Sequence, residues 1–112
     1  MATTDTRVAV DYARESGYEA LLRELVLSAV ADMPCEVFLF GSRARGTLGR
    51  ASDFDIGIRG LTEREFASVK RRIEDEVEDG PIPHAVDIVD FDRASEPFRS
   101  AALKDRIIWK SV

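Results

Sequence analysis

Cysteine, histidine and tryptophan occur once each in these 112 residues, and no apolar run approaches the length of a membrane span. A lone Cys35 excludes an internal disulfide and a four-cysteine zinc site, and its place beside an apolar run predicts a buried free thiol in a reducing interior. About 18 consecutive apolar residues would be needed to cross a bilayer, and none occur; Asp5 and Arg7 stand where a signal-peptide core would be apolar. A cytoplasmic protein that makes no use of a membrane is the expectation. Basic charge is also in deficit: 16 Lys and Arg against 21 Asp and Glu leave −5. That balance repels polyanions, so stable nucleic-acid binding is disfavoured. A single nucleotide is not excluded, because a cation held by carboxylates inverts the local field. The lone His84 follows Pro83 in an expected turn and reads as a solvated imidazole, whereas Trp109 reads as a core or interface anchor.

What is present is ordinary for a globular chain, 45% hydrophobic and 33% charged, and its length predicts a single domain over residues 1–112. Leu21, Leu22, Leu25, Val26, Ala29 and Val30 recur at helical spacing, which predicts a helix from Tyr18 to Met33, broken from the preceding residues by Gly17 and ended by Pro34. Residues 36–40, Glu-Val-Phe-Leu-Phe, predict a buried strand stopped by Gly41, with Ser42 to Arg45 opening a short helix. Gly46 to Ser52 read as a loop returning to a strand from Asp53 to Arg59. Thr62-x-x-Glu65 has capping-box spacing ahead of Phe66, Val69, Ile73 and Val77, a helix whose charged residues form a solvated face. Residues 85–91 predict a third strand, and Ser95-Glu96-Pro97 starts a helix reaching about Asp105. The expected fold class is α/β (α+β), a small mixed β-sheet covered by helices.

Two devices carry chemistry. Gly41 and Ser42 lie at a strand-helix junction, where unpaired N–H groups favour an anion; glycine admits close approach of a phosphate and the Ser42 hydroxyl adds a donor. Alone, such a turn is most often structural. Asp53 and Asp55 alternate along a strand, so both face one side of the sheet, on the order of 7 Å apart along the backbone, where they repel each other unless a hard cation intervenes. Alone, they read as a solvated pair at a strand end. Together the devices supply what metal-dependent phosphoryl chemistry requires, carboxylate and phosphate oxygens within reach of one Mg²⁺.

Gly41-Ser42, ten residues, then Asp53-x-Asp55 resembles the signature of the nucleotidyltransferases of the DNA polymerase beta superfamily. Gly-Ser-x-Ala-Arg-Gly followed by Ser52-Asp53-x-Asp55 is similar to their stand-alone minimal (MNT) branch. The likeness covers residues 36–59, and more loosely 86–90 and 98–109. It implies a polymerase-beta-like fold, ATP as substrate, and two Mg²⁺ ions on Asp53, Asp55 and a third carboxylate from a later strand. Asp87, between Val86 and Ile88 in an expected central strand, is the candidate, with Asp90 and Asp92 as alternatives. Arg43 and Arg45 are nucleotide-binding candidates through phosphate charge, although Arg45 equally suits a loop-bracing role.

Stand-alone chains of this look are paired with a small helical HEPN-domain protein. The resemblance thus implies transfer of AMP to a hydroxyl of that partner, neutralising a toxin as its antitoxin. The alternatives are a non-catalytic masking subunit and the catalytic half of a two-component transferase acting on a small molecule.

Overall fold

The computed structural model describes residues 12–46 and 53–112. The expected loop at 46–52, Ser52 included, lies outside the described residues beyond Gly46. The elements run α1 (Tyr12–Ala29), β1 (Glu36–Phe40), α2 (Gly41–Arg45), β2 (Phe54–Arg59), α3 (Glu63–Glu78), β3 (Val86–Asp90), α4 (Glu96–Ala102), a 3₁₀ turn at Leu103–Asp105, and β4 (Ile107–Lys110). The strands form one mixed sheet in the order β3-β2-β1-β4, with β1 antiparallel to β2 and β4, and β2 parallel to β3. The fold class expected from sequence is the one observed.

Side-chain alternation divides this sheet into two unequal faces. Val37 and Leu39 of β1 and Phe54, Ile56 and Ile58 of β2 join Leu22, Val26 and Val30 near α1 and Val69 and Ile73 of α3 in the main core. The intervening residues point the other way. There Phe38 and Phe40 meet Phe91 in a second, smaller cluster against Ala102 and Leu103. The Phe38 and Phe91 rings stand edge to face with centroids 4.6 Å apart, an arrangement that aligns the positive ring edge with the negative face. They lie across β2 because residue 57 is glycine: a Cβ there would sit 2.5 Å from the Phe38 ring and 2.8 Å from Phe91.

Local signals explain most of the boundaries. Thr62 and Glu65 form the reciprocal capping box at the start of α3, at 3.1 and 2.9 Å. The Ser95 hydroxyl accepts the Phe98 N–H at 3.4 Å to open α4. Cys35 is a fully buried free thiol, in keeping with its apolar neighbours. Three expectations need correction. The first helix, described from Tyr12, runs through Gly17, because Gly17 is exposed and a glycine there costs only about 1 kcal/mol against alanine, too little to end a packed helix. It stops at Ala29, short of Pro34, and residues 30–33 finish in turns. Ile107 to Lys110 form a fourth strand that the sequence pattern does not indicate, and β3 is an edge strand, not a central one.

Candidate active site

The two chemical devices meet at the corner where β1 passes into α2. Gly41 has φ of 77°, a left-handed conformation, and a Cβ built on it would collide with the Asp55 carboxylate. Asp55 is register partner to Phe40 across the antiparallel pair, so its side chain reaches under the turn. The glycine is thus required by the carboxylate itself. Gly41 and Ser42 are half-buried at this corner, and Arg45 is exposed at the end of α2.

On the other side Asp55 is register partner to Asp87 of β3. Partners in parallel strands lie about 4.8 Å apart and point to the same face, so both carboxylates belong to the face opposite the main core. Asp53, two residues before Asp55 at the entry to β2, shares that side by alternation. Burial first, then the charges of Asp87 and Asp53, push the Asp55 carboxyl above its ordinary range, and Arg45 draws it back in part. Like charges collected on one face are a donor set that a hard cation would relieve. Asp53 and Asp87 are exposed, and among the described residues no group of three His, Cys, Asp or Glu side chains converges into a ready metal cage. Asp87 needs no partner to be tolerated, since on an edge strand it is open to water; the expectation of a charge enclosed in a central strand does not hold.

The alternatives to Asp87 are engaged elsewhere. Asp90 accepts from Arg93 at 2.8 Å, and Asp92 accepts the Gly60 N–H at 2.7 Å, at the opposite end of β3 from Asp55. Asp87 is the later-strand carboxylate in register with Asp55.

Arg43 requires a correction. With 5% of its surface exposed, it turns inward, donates to Glu15 at 2.7 Å and stacks 3.8 Å from the Phe54 ring centroid. A guanidinium so placed braces α2 against α1 and is not directed at a phosphate in solvent. Of the two arginines, Arg45 keeps access to the acidic face.

Nor is His84 the solvated imidazole that its turn suggests. Its side chain is only 12% exposed, and Nε2 lies 2.9 Å from both Glu15 oxygens. Its ring meets Tyr18 and Phe54 edge-on at 5.9 and 6.0 Å. Burial raises the Glu15 carboxyl, but hydrogen bonds from His84 and Arg43, with their charges, outweigh it and leave the carboxyl below its usual range. Glu15, Arg43 and His84 thus form a clasp around Phe54, the residue between Asp53 and Asp55. Its one cue at the level of sequence is an arginine in a motif and a histidine before a strand, both needing a counter-charge.

Comparisons with known proteins bear on the family and the fold. The family model for the polymerase beta nucleotidyltransferases matches residues 31–111. No curated protein matches the chain. Among solved structures, a toxin–antitoxin complex with AMP-PNP is 20% identical at a TM-score of 0.60, covering 80% of this chain and 73% of that one. A MntA–HpeT toxin–antitoxin mutant is 18% identical at the same TM-score of 0.60 and the same coverage, 80% and 73%. A structure from Sulfolobus solfataricus described as a nucleotidyltransferase is 24% identical at a TM-score of 0.50, covering 89% and 87%. At these identities the likeness is one of fold.

Proposed function

Because the chain belongs to the polymerase beta nucleotidyltransferase family, we propose that it transfers AMP from ATP to a hydroxyl of a partner protein, a HEPN-domain toxin that it neutralises as antitoxin. The observation that carries the chemistry is the corner itself: Gly41 lies against the Asp55 carboxylate, and Asp55 stands in register with Asp87. Two similar folds support the biological setting. One is a toxin–antitoxin complex with AMP-PNP, and the other, MntA–HpeT, carries glutamates in place of two aspartates spaced as Asp53 and Asp55 are.

In this reading the Gly41-Ser42 turn receives the triphosphate, with the Ser42 hydroxyl donating to a phosphate oxygen and Arg45 offsetting charge from the exposed side. Asp53, Asp55 and Asp87 would hold two Mg²⁺ ions, which when bound would neutralise phosphate charge and ease ionisation of the acceptor. Asp87, solvent-accessible at the sheet edge, takes the acceptor proton. The acceptor oxygen then bonds to the α-phosphorus in line as its bond to the bridging oxygen breaks, and pyrophosphate leaves. The acceptor comes from the partner, which approaches from the open side of the sheet where Asp53 and Asp87 are exposed.

The test is incubation of the chain with a HEPN partner, Mg²⁺ and ATP labelled at the α-phosphate. Label on the partner, lost in Asp53→Asn and in Asp55→Asn, is the expected result; undiminished labelling by either variant refutes the assignment. A second reading, masking of the partner by contact alone, draws support from the spread of the carboxylates, two of which stand open to water instead of converging on a point. Tight complex formation with no label transferred would establish it.

A further inference from the structure

The open face of the sheet has a second feature beside the acidic corner. Phe40, Gly41, Arg45, Phe98, Ala101 and Ala102 line a cleft of about 210 Å³ between α2 and α4. It shares Gly41 with the corner, and Arg45, whose charge acts on Asp55, stands between the two. Phe98 is 41% exposed, yet its ring is held from behind by Phe40 and Phe91, each with its centroid 5.8 Å away. A large aromatic fixed in place with a free surface is a preformed stacking platform. Ala101 and Ala102, one turn further along the same helix, add little bulk beside the ring.

Size decides what fits. Pockets that enclose a drug-sized ligand run to roughly 300–1,000 Å³, so this cleft takes one planar ring and leaves the rest of the molecule outside. Continuity with the corner decides which ring: a nucleotide whose phosphates lie at Gly41 and Ser42 has its base as the remaining planar group. We propose that the cleft between α2 and α4 seats the nucleobase of the donor nucleotide, stacked on Phe98. The inference rests on the functional reading above and adds to it where the base lies and how it is selected.

Selection follows from the lining. Apart from Arg45, which faces the acidic corner, no lining side chain among the described residues carries a hydrogen-bonding group. Stacking rewards ring area and is indifferent to edge chemistry. The site therefore accepts ATP and GTP within about fivefold of each other and binds the smaller pyrimidine nucleotides more weakly.

The experiment is calorimetric titration of the full chain, in Mg²⁺, with a non-hydrolysable ATP analogue and separately with inorganic tripolyphosphate. Ala101→Leu fills the cleft and Phe98→Ala removes the platform; both positions are exposed, and circular dichroism checks that the fold persists. Each is expected to weaken the ATP analogue about tenfold while leaving tripolyphosphate unchanged. Asp55→Asn is expected to weaken both ligands. Unaltered affinity for the analogue in Ala101→Leu and Phe98→Ala overturns the base assignment but leaves the proposed function standing. The base assignment also falls, with the function again intact, if those variants change only the KM for the acceptor protein. A wild-type chain that binds neither ligand refutes both readings together.

Discussion

At position 41 the backbone conformation and the neighbouring charge make the same demand. A side chain there meets both a left-handed φ of 77° and the Asp55 carboxylate, so Gly41→Ala should cost about 1–3 kcal/mol by thermal or urea unfolding. An unchanged midpoint would show that the Asp55 side chain simply rotates away. Asp55 itself is a destabilising residue. Its carboxyl is raised above the ordinary 3.8 by burial and by Asp87 and Asp53, so folding opposes its ionisation. That opposition is absent below the unfolded value and grows as pH rises through the folded one. Asp55→Asn should therefore melt higher than wild type at neutral pH, lose that advantage below about pH 4, and drop transfer by about 100-fold or more. A variant less stable than wild type at pH 7 would mean that the carboxylate is favourably paired. The Gly-Ser and Asp-x-Asp spacings are legible in the sequence because each device lies within a few residues. The role of His84 is not, because its partner Glu15 is 69 positions away.

The elements that carry the site are joined by contacts between distant parts of the chain. Glu15 on α1 holds Arg43 on α2 and His84 just ahead of β3, and both flank Phe54 on β2. Four parts of the fold thus depend on one carboxylate. Because that carboxyl is held below its usual 4.5, its stabilisation is present above that value and is lost as pH falls through the lower folded value. Glu15→Gln should lower stability by about 1–3 kcal/mol at pH 7, as expected for hydrogen bonds to a charged group. The difference from wild type should shrink as pH drops below about 4.5, which urea unfolding across pH would follow. A pH-independent gap would show that packing, not charge, is what the glutamine disturbs. Element boundaries are legible where a local signal exists, as in the Thr62 capping box and the strand at 36–40. β4 escapes a sequence reading for a physical reason: four residues following a 3₁₀ turn, with Ile107 and Ile108 both exposed, give no alternation to read. Its strand character comes from pairing with β1, which no local pattern encodes.

Across the whole molecule, the order β3-β2-β1-β4 sets the helices α1 and α3 on one face of the sheet and leaves the other to α4 and an aromatic cluster. The carboxylates and the cleft share that second face. A sequence shows which residues alternate, but not that Asp87 stands in register with Asp55, since that follows from the parallel pairing of strands separated by α3. The net charge of −5 adds to the cost of keeping three carboxylates together, so a divalent cation acts on the fold as well as on the reaction. A ligand that binds only the folded chain stabilises it by RT ln(1 + [L]/Kd), about 2.7 kcal/mol at a hundredfold excess over Kd. Mg²⁺ together with a non-hydrolysable ATP analogue should therefore raise the melting temperature of the wild-type chain by several degrees, and more than either alone, because each ligand neutralises charge that opposes the other. In Asp53→Asn and Asp55→Asn the joint increment should vanish while the apo midpoint stays level or rises. Equal increments in wild type and both variants would place the cation away from this face, on the acidic outer surface of α3 or elsewhere, and would separate the chemistry from the corner at Gly41.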